Sequence, residues 1–422
     1  MNENSDQASD QTRTGAVGAG TSRRDFLKEM GALGALGVMS ATGSSAAAPP
    51  ETVVPRRRLG RTGEKVGILG LGCIYFRAVE KKETDAIIRT GLDLGVNFIE
   101  WGPVYGDAQE KVAGAIAGRR NEAFLASKTL YRRNKAAVAD LDKILKTCRT
   151  DHLDLFSFHA VNAPGEYEFV MGPDGCMAGM IEAKKAGKVR FLGITGHYTP
   201  AHLAAIESRQ FDVITCVLNP ANRQTEGLLK VAKENDIGVA TIKPLGAGGL
   251  LKEADLGAAG KEQFSVDEVL EFVLSHEAVS CAVVGCTSVD QMRQNVKAVA
   301  NFEPLSPMKK ARYVDRGNRI ARGLCGNCAK ACNEVCPEAV PVAYILERME
   351  FLHRFYYDSS RVGDEYDALS KTVKNCPQGC DLCEKACLHG LPVRERLREA
   401  DGRMSNVRMR YREGWFDEEI RT

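Results

Sequence analysis

The chain carries little excess charge of either sign. Its 57 lysines and arginines against 55 aspartates and glutamates leave a formal charge of +2 over 422 residues. That balance offers no electrostatic footprint for nucleic acid or for an anionic membrane surface. Long apolar runs are scarce too: the stretch "EMGALGALGVMSATG" (29–43) is short and glycine-interrupted, below the ~20 apolar residues that a membrane-spanning helix needs. No stretch follows the Gly-x-Gly-x-x-Gly layout, since "GLGC" (70–73) breaks off too early, and a Rossmann domain is not indicated. Small molecules and other proteins are the partners left. The length allows two or three domains, each with a full core.

Cysteine is abundant and unevenly placed. Eight of the 14 fall after residue 320, in two groups: Cys325, Cys328, Cys332, Cys336 and Cys376, Cys380, Cys383, Cys387. The stretches "CNEVCPEAVPV" (332–342) and "CEKACLHGLPV" (383–393) share Cys-x3-Cys-x4-Pro-Val, which marks an internal repeat. Both copies resemble the bacterial ferredoxin run Cys-x2-Cys-x2-Cys-x3-Cys-Pro, in which clustered thiolates wrap a cubane. Each group has one extra residue, and Cys387 is followed by Leu388 instead of proline. Zinc in a crowded four-thiolate loop and disulfides between near neighbours are the alternatives. The other cysteines, Cys73, Cys148, Cys176, Cys216, Cys281 and Cys286, read as small buried hydrophobes.

The N-terminus reads "TSRRDFLK" (21–28), then the glycine-rich apolar run, then "SSAAAPP" (44–50). Paired arginines, a short apolar stretch and a small-residue site make the layout of an export signal. "SRRDFLK" resembles the twin-arginine consensus, which implies export of a protein already folded, with its cofactor inserted, to the periplasm or cell envelope. A mature chain starting near residue 49, with no membrane span, is expected.

From Val66 to Phe302, short β-branched runs alternate with helical stretches. The strands read "VGILGLGC", "NFIEW", "AFLASK", "LDLFSFHA", "VRFLGITG", "DVITCVLN", "GVATIKPL" and "CAVVGC". Eight such units in ~240 residues indicate an α/β fold, a (β/α)8 TIM barrel whose site collects at the C-terminal strand ends. The expected organisation is a signal over 1–48, a barrel over 49–305 and a mainly helical, cysteine-rich, ferredoxin-like region over 306–422.

The stretches "RRLGRTGEKVGILGLGC", "NFIEWGPVYG", "FLASKT", "DLFSFHA", "GKVRFLGITG" and "GVATIKPLGAGGLL" follow, in order and spacing, the aldo-keto reductase family. With its signal and tail, the chain resembles the exported members that carry ferredoxin-like 4Fe-4S extensions. The resemblance implies Tyr105 as general acid or base, Lys128 lowering its pKa, His159 positioning a carbonyl oxygen, and Glu100 where the family has aspartate. Trp101, which follows Glu100, is expected to narrow the mouth. A phenol with a pKa of ~10 needs such a buried cation to work near neutral pH.

For a nucleotide, the resemblance points to Thr195, Asn219, Gly285 and Asn295. Leu218 stands where a tyrosine stacks beneath the nicotinamide, and Gly285 and Gln291 stand where many members clamp the 2'-phosphate with cations. A dinucleotide would therefore be NAD(H) in preference to NADP(H). The whole reads as an exported oxidoreductase acting on a small carbonyl or alcohol, with two 4Fe-4S clusters passing electrons to a partner protein. The alternative is a non-catalytic scaffold with structural metal.

Overall fold

The computed structural model describes residues 53–162, 165–255, 260–321, 325, 331–346, 366–387 and 390–404. The signal expected over 1–48 and the thiol of Cys328 lie outside these residues. The chain enters through an antiparallel hairpin of β1 (Arg56–Arg58) and β2 (Lys65–Gly67). Next come β3 (Leu69–Gly72), β4 (Phe98–Glu100), β5 (Phe124–Thr129), β6 (Leu153–Phe158), β7 (Val189–Thr195), β8 (Val213–Val217) and β9 (Gly238–Ile242). A small hairpin, β10 (Ala254–Asp255) with β11 (Lys261–Glu262), precedes β12 (Cys281–Val284). Strands β3 to β9 and β12 pair in parallel, and β12 returns to β3 to close an eight-stranded barrel. The eight expected strands are all present. The first of them divides, its Val66 and Gly67 belonging to the entry hairpin and its Leu69–Gly72 to the barrel.

Side chains alternate between the two faces of a strand, and this alternation sorts the barrel's apolar residues. One cluster, with Phe98, Phe124, Ala126, Leu155, Val213, Ala240, Cys281 and Val283, fills the interior. The rings of Phe98 and Phe124 stack at 5.3 Å, and those of Phe124 and Phe191 at 6.3 Å. Leu59 and Val66 of the entry hairpin belong to the same cluster. The hairpin thereby plugs the end of the barrel from which the strands start. A larger cluster lies between strands and helices, and it takes in Ile87, Leu141, Met180, Ile206, Leu229, Phe272 and Val296. The six cysteines outside the two groups are all buried, and none of them forms a disulfide.

A helix over Pro307–Ile320 follows the barrel, capped by Ser306, whose hydroxyl accepts from the Lys309 amide at 3.3 Å. Its Tyr313 enters the barrel's outer cluster. Arg316 holds Glu268 through two bonds of 3.0 and 2.6 Å, and Arg319 pairs with Glu262 at 2.7 Å. A Cβ at Gly317 would stand 2.1 Å from the carbonyl oxygen of Pro220, so only glycine permits this helix to lie so close to the loop after β8.

The cysteine-rich region has its own core, which gathers Val340, Val342, Ile345, Leu391, Val393 and Leu397 around the thiols. Val342 and Val393, equivalent in the sequence repeat, are both buried in it. Between the two groups, residues 347–365 lie outside the described residues. No helix among the described residues is long and apolar enough to cross a membrane.

The plug rests on Gly60, whose φ is +48° and whose Cβ, if present, would lie 2.1 Å from the Gly238 amide nitrogen at the start of β9. Gly63 is also left-handed, at φ +76°, with open space around it. Chemical denaturation is expected to show Gly60→Ala costing about 2–4 kcal/mol and Gly63→Ala only about 1 kcal/mol. Equal costs would refute the close docking of the plug.

Candidate active site

The inward-facing positions that fill the barrel continue to its C-terminal mouth with period two. Phe98 leads to Glu100 on β4, Phe124 and Ala126 lead to Lys128 on β5, and Leu155 leads to Ser157 and His159 on and just beyond β6. Pairing puts these residues in register: Glu100 stands opposite Ala126, and Lys128 opposite Ser157. The His159 amide continues the ladder by donating to the Thr129 carbonyl at 2.8 Å. Tyr105 arrives from the loop after β4, where a turn closes with its amide donating to the Gly102 carbonyl at 3.1 Å.

These four residues meet. The Lys128 ammonium forms an ion pair with Glu100, lies 3.3 Å from the Tyr105 hydroxyl and donates to the Trp101 carbonyl at 3.2 Å. The rings of Tyr105 and His159 meet edge to face, 6.3 Å apart at 85°. Gly102 makes this approach feasible, since a Cβ there would come within 3.3 Å of His159 and 3.4 Å of Tyr105. Behind His159, the buried Arg132 guanidinium donates to the carbonyls of His159 (2.7 Å) and Ala160 (3.2 Å). It thereby holds a turn in which Ala160 adopts a left-handed φ of +55°.

Lys128 and Glu100 are only 3% and 6% exposed. Burial pushes the Lys128 ammonium down from the ordinary lysine range to about 7, because desolvation penalises the charged form. The longer side chain of Glu100 still reaches the ammonium and pairs with it.

One expectation at the mouth is corrected. Trp101 does not narrow it: following inward-facing Glu100, it faces outward, is fully buried in the helix-side cluster, and its indole N–H donates to Gln109 at 3.4 Å. Leu218 likewise lies in that outer cluster.

The nucleotide-site candidates are spread around the rim. Thr195 ends β7, and its hydroxyl accepts from the Ala160 amide at 3.3 Å. Asn219 is occupied with its own turn: its carbonyl oxygen accepts from the amides of Ala221 (3.0 Å) and Asn222 (2.8 Å), and its amide donates to the Lys243 carbonyl at 3.1 Å. Gly285 lies under Tyr75, whose ring carbons would stand 2.5 and 2.6 Å from a Cβ there. Asn295 is buried on the helix Val289–Ala300. The Gln291 side chain accepts from the Thr287 amide at 2.8 Å.

Sequence reasoning passed over His197 and Lys243, which meet at 3.1 Å. Only the spacing of His197, two residues beyond Thr195 in the inward row of β7, could have drawn attention to it.

In the cysteine-rich region, Cys332 and Cys383 are buried, and Cys325, Cys336, Cys376 and Cys387 pack against the same core. The two copies of the repeat make the same contact: the Val340 amide donates to Cys336 Sγ and the Leu391 amide to Cys387 Sγ, each at 3.4 Å. Burial raises the Cys376 thiol, and the neighbouring Cys336 and Cys380 raise it further. Cys383 is raised by burial and by Cys376, Cys336 and Cys380. Cys336 of the first group is thus close enough to Cys376 and Cys383 of the second to act on both. Among the described residues, no three His, Cys, Asp or Glu side chains converge as a single metal ion requires.

Residues 68–269 match the Aldo/keto reductase family. The uncharacterized oxidoreductase YqkF of Bacillus subtilis is 24% identical over 284 residues, which span 58% of this chain and 90% of that protein. L-galactose dehydrogenase of Arabidopsis thaliana is 26% identical over 292 residues, spanning 60% and 91%. Among solved structures, the holo form of an aldo-keto reductase from Bacillus halodurans superposes with a TM-score of 0.54 at 21% identity, over 63% of this chain and 96% of that one. An aldo-keto reductase from Klebsiella pneumoniae in complex with NADPH gives 0.51 at 23% identity, over 62% and 94%. With the closed barrel and these relatives, residues 68–269 form an aldo/keto reductase family domain.

Proposed function

We propose that this aldo-keto reductase-like oxidoreductase interconverts a small carbonyl compound and its alcohol at the barrel mouth, and exchanges electrons through 4Fe-4S clusters held by its C-terminal cysteines. The observation that carries the first part is the Tyr105 hydroxyl 3.3 Å from the Lys128 ammonium, which is itself ion-paired to Glu100. In reduction, Tyr105 passes its proton to the carbonyl oxygen and is left as a phenolate that the ammonium stabilises. In oxidation, the phenolate takes the hydroxyl proton. His159, edge-on to Tyr105, donates to the same oxygen, and Arg132 keeps His159 in position.

A bound nicotinamide would supply or accept the hydride. Thr195 has a hydroxyl at the rim for such a ligand, whereas Asn219 is committed to its turn. Glycine at 285 and a turn-bound Gln291 leave no cation at either position for a 2'-phosphate, which supports NAD(H) over NADP(H). A second reading, substrate chemistry without a dinucleotide, is favoured by the Tyr75 ring over Gly285. Binding of NADH to the purified protein separates the two.

For the clusters, the supporting observation is that Cys336 acts on Cys376 and Cys383 of the other group while both groups pack against one core. Cubane thiolates stand further apart than ligands of one ion, and amides directed at cysteine sulfur tune such centres. By the repeat, Cys387 would complete the set of Cys325, Cys328 and Cys332. When bound, the clusters would supply one-electron exchange with a partner protein. Export through the N-terminal signal suits a protein that folds around such groups before leaving the cytoplasm.

Tyr105→Phe is expected to lower kcat/KM for a small aldehyde by ~100-fold or more while NADH affinity is retained. Because Lys128 is charged only below about 7, the pH profile of carbonyl reduction should fall as pH rises through that value. Glu100→Gln removes the anion that favours the ammonium and should move the fall to lower pH. A profile that does not move would count against the coupling.

Anaerobically purified protein should contain about eight irons and eight sulfides per chain, with a visible band that bleaches on reduction. Zinc without iron would overturn the cluster reading. N-terminal sequencing of protein from the periplasmic fraction should begin near residue 49, and an intact Met1 in the cytoplasm alone would contradict export.

A further inference from the structure

Two of the barrel's cysteines stand side by side. Where β12 pairs with β3, Ala282 is opposite Leu69, Val283 opposite Gly70 and Val284 opposite Leu71. Two positions further along each chain come Cys286 and Cys73. The chains still run together there, since a Cβ at Gly285 would stand 3.4 Å from the Gly72 carbonyl oxygen. Val284 and Leu71 face the helices, and Cys286 and Cys73 join the same helix-side cluster, as alternation along a strand requires. Neighbouring strands lie ~4.8 Å apart, inside the Cα separation of ~4.4–6.8 Å that a disulfide spans. Cys73 is also close enough to Cys286 for charge on one to act on the other. Cys281, on the same strand end, faces the interior instead, where its Sγ would lie 2.7 Å from a Cβ at Gly70.

Both thiols are free and buried. Cys73 opens the short turn Cys73–Ala78, whose Ile74 and Tyr75 are 37% and 38% exposed. The far end of this turn is fixed by the Lys111 ammonium, which donates to the carbonyls of Phe76 at 2.7 Å and Val79 at 2.8 Å. Between the two ends, the Tyr75 ring lies over Gly285. A bond from Cys73 to Cys286 would fix the near end as well, and so hold that ring over the end of β12.

We propose that Cys73 and Cys286 are a redox-active dithiol, which closes to a disulfide across the seam between β3 and β12 and pins the Tyr75 turn over Gly285. The oxidant is a disulfide of a small thiol or of a protein, reached when the turn opens. One cysteine thiolate attacks a sulfur of that disulfide, and the other half leaves and takes up a proton. The second thiolate then attacks the cysteine sulfur of the mixed disulfide and releases the remaining half in the same way. Two cysteine thiols are oxidised, one external disulfide is reduced to two thiols, and both protons go to the leaving groups. Burial pushes the Cys286 thiol up to about 12 and the Cys73 thiol higher still, so thiolate is scarce and the exchange is slow.

Anaerobically purified full-length protein, incubated with oxidised glutathione, quenched with acid and alkylated, reads the bond by peptide mapping without reduction. One linked pair of barrel peptides is expected, joined through Cys73 and Cys286. The link should vanish in Cys286→Ala and persist in Cys281→Ala. Oxidation should raise the melting temperature by about 5 °C or more, with no such rise in Cys286→Ala. Phenylarsine oxide, which bridges two adjacent thiols, should protect Cys73 and Cys286 of the reduced protein from alkylation, a measurement that needs no variant. No link after oxidation together with no protection by the arsenical, or links scattered alike over all six barrel cysteines, would overturn the proposal.

The effect on Gly285 rests on the dinucleotide reading; the bond and its mapping do not. Where NADH binds, oxidation should lower its affinity severalfold, dithiothreitol should restore it, and Cys286→Ala should not respond. Equal NADH affinity in the two forms would refute the pinning of Tyr75. Absence of NADH binding to either form would sink the dinucleotide reading, with the peptide map still deciding the disulfide.

Discussion

In a closed parallel barrel every strand residue faces either the interior or the helices, and the rest of this molecule depends on that division. The interior is filled by phenylalanines on β4, β5 and β7, sealed below by the entry hairpin. At the open end the same inward row delivers Glu100, Lys128, His159, Thr195 and His197 to one rim. Shifting a strand by a single residue would exchange these groups for their outward neighbours. Trp101 and Leu218 are such neighbours, each one position after an inward residue, and both lie among the helices.

Burying Lys128 with Glu100 is expensive, because both charges leave water, and an ion pair of this kind rarely adds to stability. Its value lies in chemistry. An ammonium whose pKa is pushed down to about 7 by burial answers readily to a phenol 3.3 Å away. The opposite rim, with Lys243 against His197, is assembled by asparagine tethers and a left-handed turn.

The cysteine-rich region is joined to this mouth by more than the connecting chain. The helix Pro307–Ile320 is clamped by Arg316 and Arg319 to the elements before β12, and Gly317 brings it against the loop after β8. The ring of Tyr344, beside the second core, meets Tyr198 edge-on at 6.5 Å, and Tyr198 directly follows His197. The cysteine-rich region therefore touches the barrel at Tyr198, just beyond the end of β7.

The sequence by itself determined the eight units, the family resemblance, the four residues around Tyr105 and the two repeated cysteine groups. These are local signals: β-branched runs, helical periodicity, and motifs read within a few residues of a strand end. Only the tertiary structure decided which face Trp101 and Leu218 occupy, because the phase of alternation is set by pairing with neighbouring strands. It also decided that Lys243 meets His197, 46 residues earlier in the chain, and that Cys336 comes close to Cys376 and Cys383 of the second group. Those contacts arise from barrel closure and from the packing of one repeat against the other, which no linear spacing encodes.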